Sequence, residues 1–257
     1  MTLENIAPGV WSARRPLRFL GLEVGTRMTV LRLADGSLAL HSPIPLDVDV
    51  DGQGDLGAAV DALGSVSLLI APNRFHHLFL EAASRRYPAA RVFGVPGLEK
   101  KQPGVRFDAL VDEPGDAGGD LAWAPVRGVA ALLPTGVADF REVAYLHRPS
   151  GTLVVTDAAY HFGPSDPLET RIGARLIGAY GRLTPSLLER WGSRDKANVE
   201  TSIKGILKWD FDRVVPAHGA VVETGGHDAF RTGYERLLRR PLSRDADAPS
   251  QGQDPPR

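Results

Sequence analysis

Ser65-Val-Ser-Leu-Leu-Ile-Ala-Pro-Asn-Arg-Phe-His-His77 is the stretch on which the reading of this chain turns. Its first six residues are a short apolar run of β-formers, the signature of a strand covered on both faces. Pro72 and Asn73 then break the strand, and two histidines follow. The same order recurs twice downstream. Gly151-Thr-Leu-Val-Val-Thr156 runs into Asp157, and Arg213-Val-Val-Pro-Ala217 runs into His218. Side chains at the ends of successive strands can converge on one edge of a sheet, where sites in layered α/β folds gather. Imidazoles with a carboxylate suit zinc or iron.

The rest of the chain fits an α/β layering. Met28 to His41 reads as a β-hairpin turning at Ala34-Asp-Gly-Ser37. A short helix is predicted over 58–63. A second covers 78–87 and stops at Pro88. Strands follow at 91–95, 121–126, 130–133 and 143–147, and Arg148-Pro-Ser-Gly151 turns into a strand at 152–156. From Asp166 to Trp209 the pattern becomes helical, with Val199, Ile203, Ile206 and Leu207 on one face. A last strand lies at 211–215 and a last helix at 227–238. Strands and helices mix from end to end, so one domain over 1–240 is predicted, with a polar, disordered tail over 241–257.

Composition excludes several function classes. The 257 residues are 43% hydrophobic and 24% charged, with a net charge of -1. Nothing in that balance suggests a nucleic-acid surface or a polybasic membrane anchor. There is no cysteine. Disulfides, thiolate ligands and a cysteine nucleophile are therefore excluded. No apolar run approaches the ~20 residues of a membrane span. The N-terminal residues lack the pattern of a signal peptide, so a cytoplasmic protein is expected. A small-molecule substrate or ligand is the expected partner.

Strand-end histidines, a strand-end aspartate and the late Pro216-Ala-His-Gly219 together resemble the metallo-β-lactamase superfamily. Three pieces resemble its DUF4336 group more narrowly. They are Ala71-Pro-Asn-Arg-Phe-His-His-Leu-Phe-Leu80, the run from Glu142 to Asp157 through His147-Arg-Pro-Ser150, and Leu38-Ala-Leu-His-Ser-Pro43. The resemblance covers about residues 4 to 238. It implies an αββα four-layer sandwich, two mixed sheets between helical layers. It also implies site positions. Setting the last histidine of the His-x-His-x-Asp-His motif on His77 puts His76 at the aspartate position. The two earlier histidine positions then fall on Pro72 and Arg74, and the second-motif histidine has no counterpart in Pro134 to Phe140. Asp157 matches the aspartate that bridges two metals, and His218 matches the final histidine. The first metal position is thus stripped and the second kept.

One divalent metal held by His76, His77, Asp157 and His218 is the reading that follows, zinc first and iron second, with Asp157 and His77 as catalytic residues. A metal-free domain is the alternative. Asn73, Arg74, Glu142 and His161 are candidate substrate-binding or supporting residues. Each also has a plain reading. Asn73 closes a turn, Arg74 and His161 sit in surface loops, and Glu142 is an exposed strand charge. His41, His147 and His227 are read as structural, and Arg14-Arg15 as solvated charge. Three functions compete: a metal-dependent hydrolase acting on an ester, lactone, amide or phosphoester; a non-catalytic domain binding a metabolite or partner; and a mononuclear iron protein of oxygen or redox chemistry.

Overall fold

The computed structural model describes residues 3–47 and 55–242. A seven-stranded sheet runs in the spatial order Glu4–Ala7, Val10–Arg15, Thr26–Arg32, Leu38–His41, Val66–Ile70, Arg91–Gly94 and Ala109–Leu110. Its first four strands pair antiparallel, and pairing is parallel from Leu38–His41 onward. A five-stranded sheet faces it, in the order Gly115–Ala117, Leu121–Pro125, Val143–His147, Thr152–Val155 and Arg213–Pro216. Only its last pair is parallel.

Period-two alternation sorts the second sheet's residues between two cores. Val143, Tyr145, Val154 and Val215 point into the core shared with the first sheet. Ala144, Leu146, Leu153, Val155 and Val214 point the other way, against Val199, Ile203 and Ile206 of helix Lys196–Ile206 and Phe230 and Tyr234 of helix Gly226–Leu238. Both faces are covered, which is why these strands read as unbroken apolar runs rather than alternating ones. Helices Leu56–Asp61 and Leu80–Arg86 send Val60, Leu80 and Ala83 into the first core. The layers are helix, sheet, sheet, helix, as the αββα expectation requires.

Several segments depart from their sequence reading. Strands Glu4–Ala7 and Val10–Arg15 were not anticipated, and Arg14 pairs with Asp166 rather than with water alone. The helical region breaks into Leu168–Leu176, Leu187–Gly192 and Lys196–Ile206, the first two separated by turns at Gly178 and Gly181, where φ is +73° and +69°, and the last two by residues 193–195. The predicted strand 130–133 is real but pairs with Gly136–Asp139 as a separate hairpin. The predicted tail lies outside the described residues beyond Leu242. Among the described residues no helix is long and apolar enough to cross a membrane.

Candidate metal centre

His76, Asp157 and His218 come from three different loops and meet at one point. His76 lies in the turn after Val66–Ile70, Asp157 just past Thr152–Val155, and His218 just past Arg213–Pro216. Nε2 of His76 lies 3.1 Å from Nε2 of His218. Asp157 Oδ2 is 3.6 Å from the first and Oδ1 is 3.5 Å from the second. At zinc–nitrogen distances of 2.0–2.1 Å, neighbouring ligand atoms of a tetrahedron stand about 3.3 Å apart. The observed spacings bracket that value.

Hydrogen bonding on the far side of each ring sets its chemistry. His218 Nδ1 lies 2.7 Å from the Gly25 carbonyl, which can only accept, so Nδ1 carries a proton and Nε2 is the nitrogen turned toward the centre. His76 Nδ1 meets Ser42 Oγ at 2.8 Å, which permits the same tautomer. With both rings neutral, two Nε2 lone pairs and the Asp157 carboxylate converge on one point that a cation would fill. The donor set therefore fits a divalent metal ion, with two imidazoles and one carboxylate as ligands.

Asn73 organises the floor of this site. It is fully buried. Its side-chain carbonyl accepts from the backbone N–H groups of Phe75 and His76 at 2.8 and 2.7 Å, which curls the loop and aims His76 inward. Its amide donates to Glu142 Oε2 at 2.7 Å, Asp157 Oδ2 at 2.6 Å and Thr156 Oγ1 at 2.9 Å. Glu142 is not an exposed strand charge: it is 1% exposed and receives the backbone N–H groups of Thr156 and Asp157. It braces the aspartate rather than a histidine. Burial, reinforced by the Asp157 charge, pushes the Glu142 carboxyl up to about 7. Burial pushes Asp157 the same way, but His76 and His218 outweigh it and hold that carboxyl well below the usual range.

Three further residues support the centre. Arg27 is 4% exposed and donates to the carbonyls of Pro216 and Gly219, clamping the loop that carries His218. Tyr160 directs its hydroxyl between Asp157 Oδ1 at 3.4 Å and Glu189 Oε1 at 3.2 Å. Glu189 is buried, and its carboxyl is pushed up to about 7 by that burial. It closes a capping box with Ser186, so Ser186-Leu-Leu-Glu189 was the available signal. Arg27 carries no signal, since a strand arginine ordinarily reaches water.

No protein-family model matches the chain, and no curated protein is similar to it in sequence. The likeness is structural. A metallo-β-lactamase from Pontibacter korlensis superposes with a TM-score of 0.58 at 12% identity, over 93% of this chain and 98% of that one. The chain has the metallo-β-lactamase fold. The mono-zinc form of a metallo-β-lactamase from Pseudomonas aeruginosa gives 0.56 at 10% identity, over 92% and 96%. A metal-soaked flavodiiron core from Synechocystis gives 0.58 at 15%, over 93% of this chain and 60% of that chain.

On this metallo-β-lactamase frame the remaining candidates fall outside the cluster. His77 turns away from its neighbour: its Nδ1 meets Gln102 Nε2 at 2.7 Å, and the expected four-ligand set contracts to three. It still lines the adjoining cavity, and burial together with Lys101 lowers its pKa. Arg74 reaches the Pro96 carbonyl at 3.0 Å and Asp139 at 3.9 Å, which holds its guanidinium away from the three ligands. His161 faces the Ala220 carbonyl at 3.1 Å, and its backbone pairs with the His218 loop, which makes it a brace. His147 spans Ser150 Oγ and the Arg32 carbonyl, the structural role predicted for it.

Proposed function

We propose that the chain is a metal-dependent hydrolase with a single metal position, acting on an ester, lactone, amide or phosphoester bond of a small molecule. The observation that carries this reading is the facing pair of imidazole Nε2 atoms beside Asp157, opening into a cavity of about 350 Å³. His76, Asp157 and His218 would hold a divalent ion, which would supply Lewis acidity there, three protein ligands being the number found in catalytic zinc sites. Asp157 stays anionic and is held by Asn73 and Tyr160. Gly25 and Ser42 keep both imidazoles aimed at the same point. His77 lines the cavity with its pKa depressed, so it offers a neutral ring to a reacting group.

Pro72 and Arg74 supply no ligands where the first metal of a dinuclear site needs them, which supports one metal rather than two. Asn73-Arg-Phe-His-His77 and His147-Arg-Pro-Ser150 support kinship with the DUF4336 group. Zinc is the metal we favour. A second reading, mononuclear iron with oxygen or redox chemistry, is favoured by the same ligand set, because two histidines and one carboxylate also make the facial triad of non-haem iron.

Elemental analysis of protein purified without added metal tests the proposal. About one zinc per chain is expected, lost in His76→Ala, Asp157→Ala and His218→Ala. One iron per chain selects the second reading. No metal, even after incubation with zinc or iron, refutes both, and two metals per chain refute the single position.

A further inference from the structure

The cavity beside the metal centre has a division of chemistry that its ligands do not explain. Its polar groups Ser42, His76, Asp157, Tyr160, Glu189 and His218 belong to the centre and its supports, and His77 stands on the lining apart from them. The walls are apolar. Phe75, Leu133, Phe140, Phe162, Ile177 and Leu188 line it, from the loop after Val66–Ile70, the small hairpin, and the excursion between Asp157 and helix Leu187–Gly192. Phe75 and Phe140 meet edge to face at 5.3 Å, so this part of the wall is packed rather than loose. Water alone gains nothing from such walls, and a polar substrate would lose hydration against them.

Charge on the lining is just as uneven. Its carboxylates are Asp157 and Glu189, both buried. Its other charged groups are Arg18, Arg74 and Lys101. Arg74 is taken by Asp139 and Pro96. Among the described residues, Arg18 and Lys101 are hydrogen-bonded only to the backbone carbonyls of Gly21 and Arg74, and neither forms an ion pair. Lys101 also stands 5.2 Å over the Phe75 ring, at the boundary between apolar wall and solvent.

We infer that the cavity takes an amphiphile, with an apolar chain or ring system against Phe75, Phe140, Ile177 and Leu188 and an acidic group meeting Lys101 and Arg18. At about 30 Å³ for each water-sized group, 350 Å³ holds about a dozen such groups. A medium-length acyl or aryl unit fits that space. As the specificity of the proposed hydrolase, this inference rests on that reading, but its test is separate.

Binding of octanoate, decanoate and decanol to metal-replete protein, measured by titration calorimetry, tests it without requiring turnover. Each added methylene should tighten binding about fourfold (about 0.8 kcal/mol). Lys101→Met should weaken decanoate several-fold and leave decanol unchanged, which separates the rim cation from carboxylate attraction to the metal. Leu188→Asp should abolish chain-length dependence, with Ile177→Asp as the second variant and circular dichroism confirming that each folds. Affinity that is flat with chain length overturns the apolar body, and an unchanged decanoate affinity in Lys101→Met overturns the acidic group. Chain-length-dependent binding without turnover of octanoyl ester, lactone, amide or phosphoester substrates removes the hydrolase reading alone. Turnover fastest on the acetate ester, with flat binding, removes this inference alone.

Discussion

Replacing Asn73 by alanine tests the organisation of the centre most directly. The substitution deletes two donated hydrogen bonds to buried carboxylates, at 2.7 Å to Glu142 and 2.6 Å to Asp157. It also frees the backbone N–H groups of Phe75 and His76. Hydrogen bonds to charged groups contribute about 1.5–3 kcal/mol each and neutral ones about 0.5–1.5. Proton uptake by Glu142, already pushed to about 7, relieves part of the loss. Water entering the space relieves more, so about 3–5 kcal/mol is expected, a large fraction of the 5–15 kcal/mol that holds an ordinary domain. Because the same residue aims His76, zinc affinity should fall about 10–100-fold, as for other groups that orient a ligand. Asn73→Asp separates the two roles: it keeps the acceptor for Phe75 and His76 but faces two carboxylates with a third. Urea denaturation and zinc titration against a competing chelator measure both quantities. A stability loss under about 1 kcal/mol with unchanged zinc affinity would falsify the claim that Asn73 holds the site together.

Arg27→Met should cost about 2–4 kcal/mol, because it strands the Pro216 and Gly219 carbonyls, and should weaken metal binding through His218; Arg27→Lys should not restore either, since a single ammonium lacks the guanidinium fork. Chemical denaturation with a parallel metal titration reads the outcome. Gly219→Ala should destabilise by more than about 2 kcal/mol, because Gly219 has a φ of +86° and a Cβ there would stand 2.1 Å from the His161 carbonyl oxygen. Wild-type stability for this variant would disprove the close approach. His41 is fully buried, and burial lowers its pKa to about 3. The unfolded chain therefore takes the proton first, so this stabilisation is complete above about 6.5 and shrinks as pH falls toward 3. Between pH 7 and 5 the His41 contribution should fall by about 2 kcal/mol, opposed by the gain from Glu142 and Glu189 as they take up protons, so the stability difference between wild type and His41→Leu should change by about 2 kcal/mol over that range. Saturating metal at 100 times its dissociation constant should add about 2.7 kcal/mol, reversed by chelation and visible as a shift in the thermal midpoint.

What the sequence revealed and what it concealed divide along physical lines. Strands Val66–Ile70, Val143–His147, Thr152–Val155 and Arg213–Pro216 were legible because burial on both faces leaves a continuous apolar run. Val10–Arg15 was hidden because Arg14 and Arg15 suggested solvated charge, whereas Arg14 is held by Asp166 from far along the chain. Adjacent histidines could not be told apart by spacing. Two hydrogen bonds to the Asn73 carbonyl and the distant Gln102 decide that His76 points to the centre and His77 away from it. Glu142 was visible as a candidate, but its partner was not, since its contacts with Asn73 and Asp157 join loops of two sheets. Arg27 shows the same limit: its two carbonyl acceptors are about 190 residues away, at separations of 189 and 192.

The bonds made by Asn73 and Arg27 have a consequence for ancestry. Asn73 ties the first sheet's loop to Glu142, Thr156 and Asp157 of the second, and Arg27 ties a first-sheet strand to the loop beyond Arg213–Pro216. These residues rivet the halves of the sandwich whether or not any substrate is ever turned over. A descendant that abandoned the reaction would still be selected to keep them, because losing them loosens the protein itself. The histidines whose Nε2 atoms face one another carry no such obligation. In a lineage drifting away from catalysis, His76 and His218 should be the first to change and Asn73 and Arg27 the last.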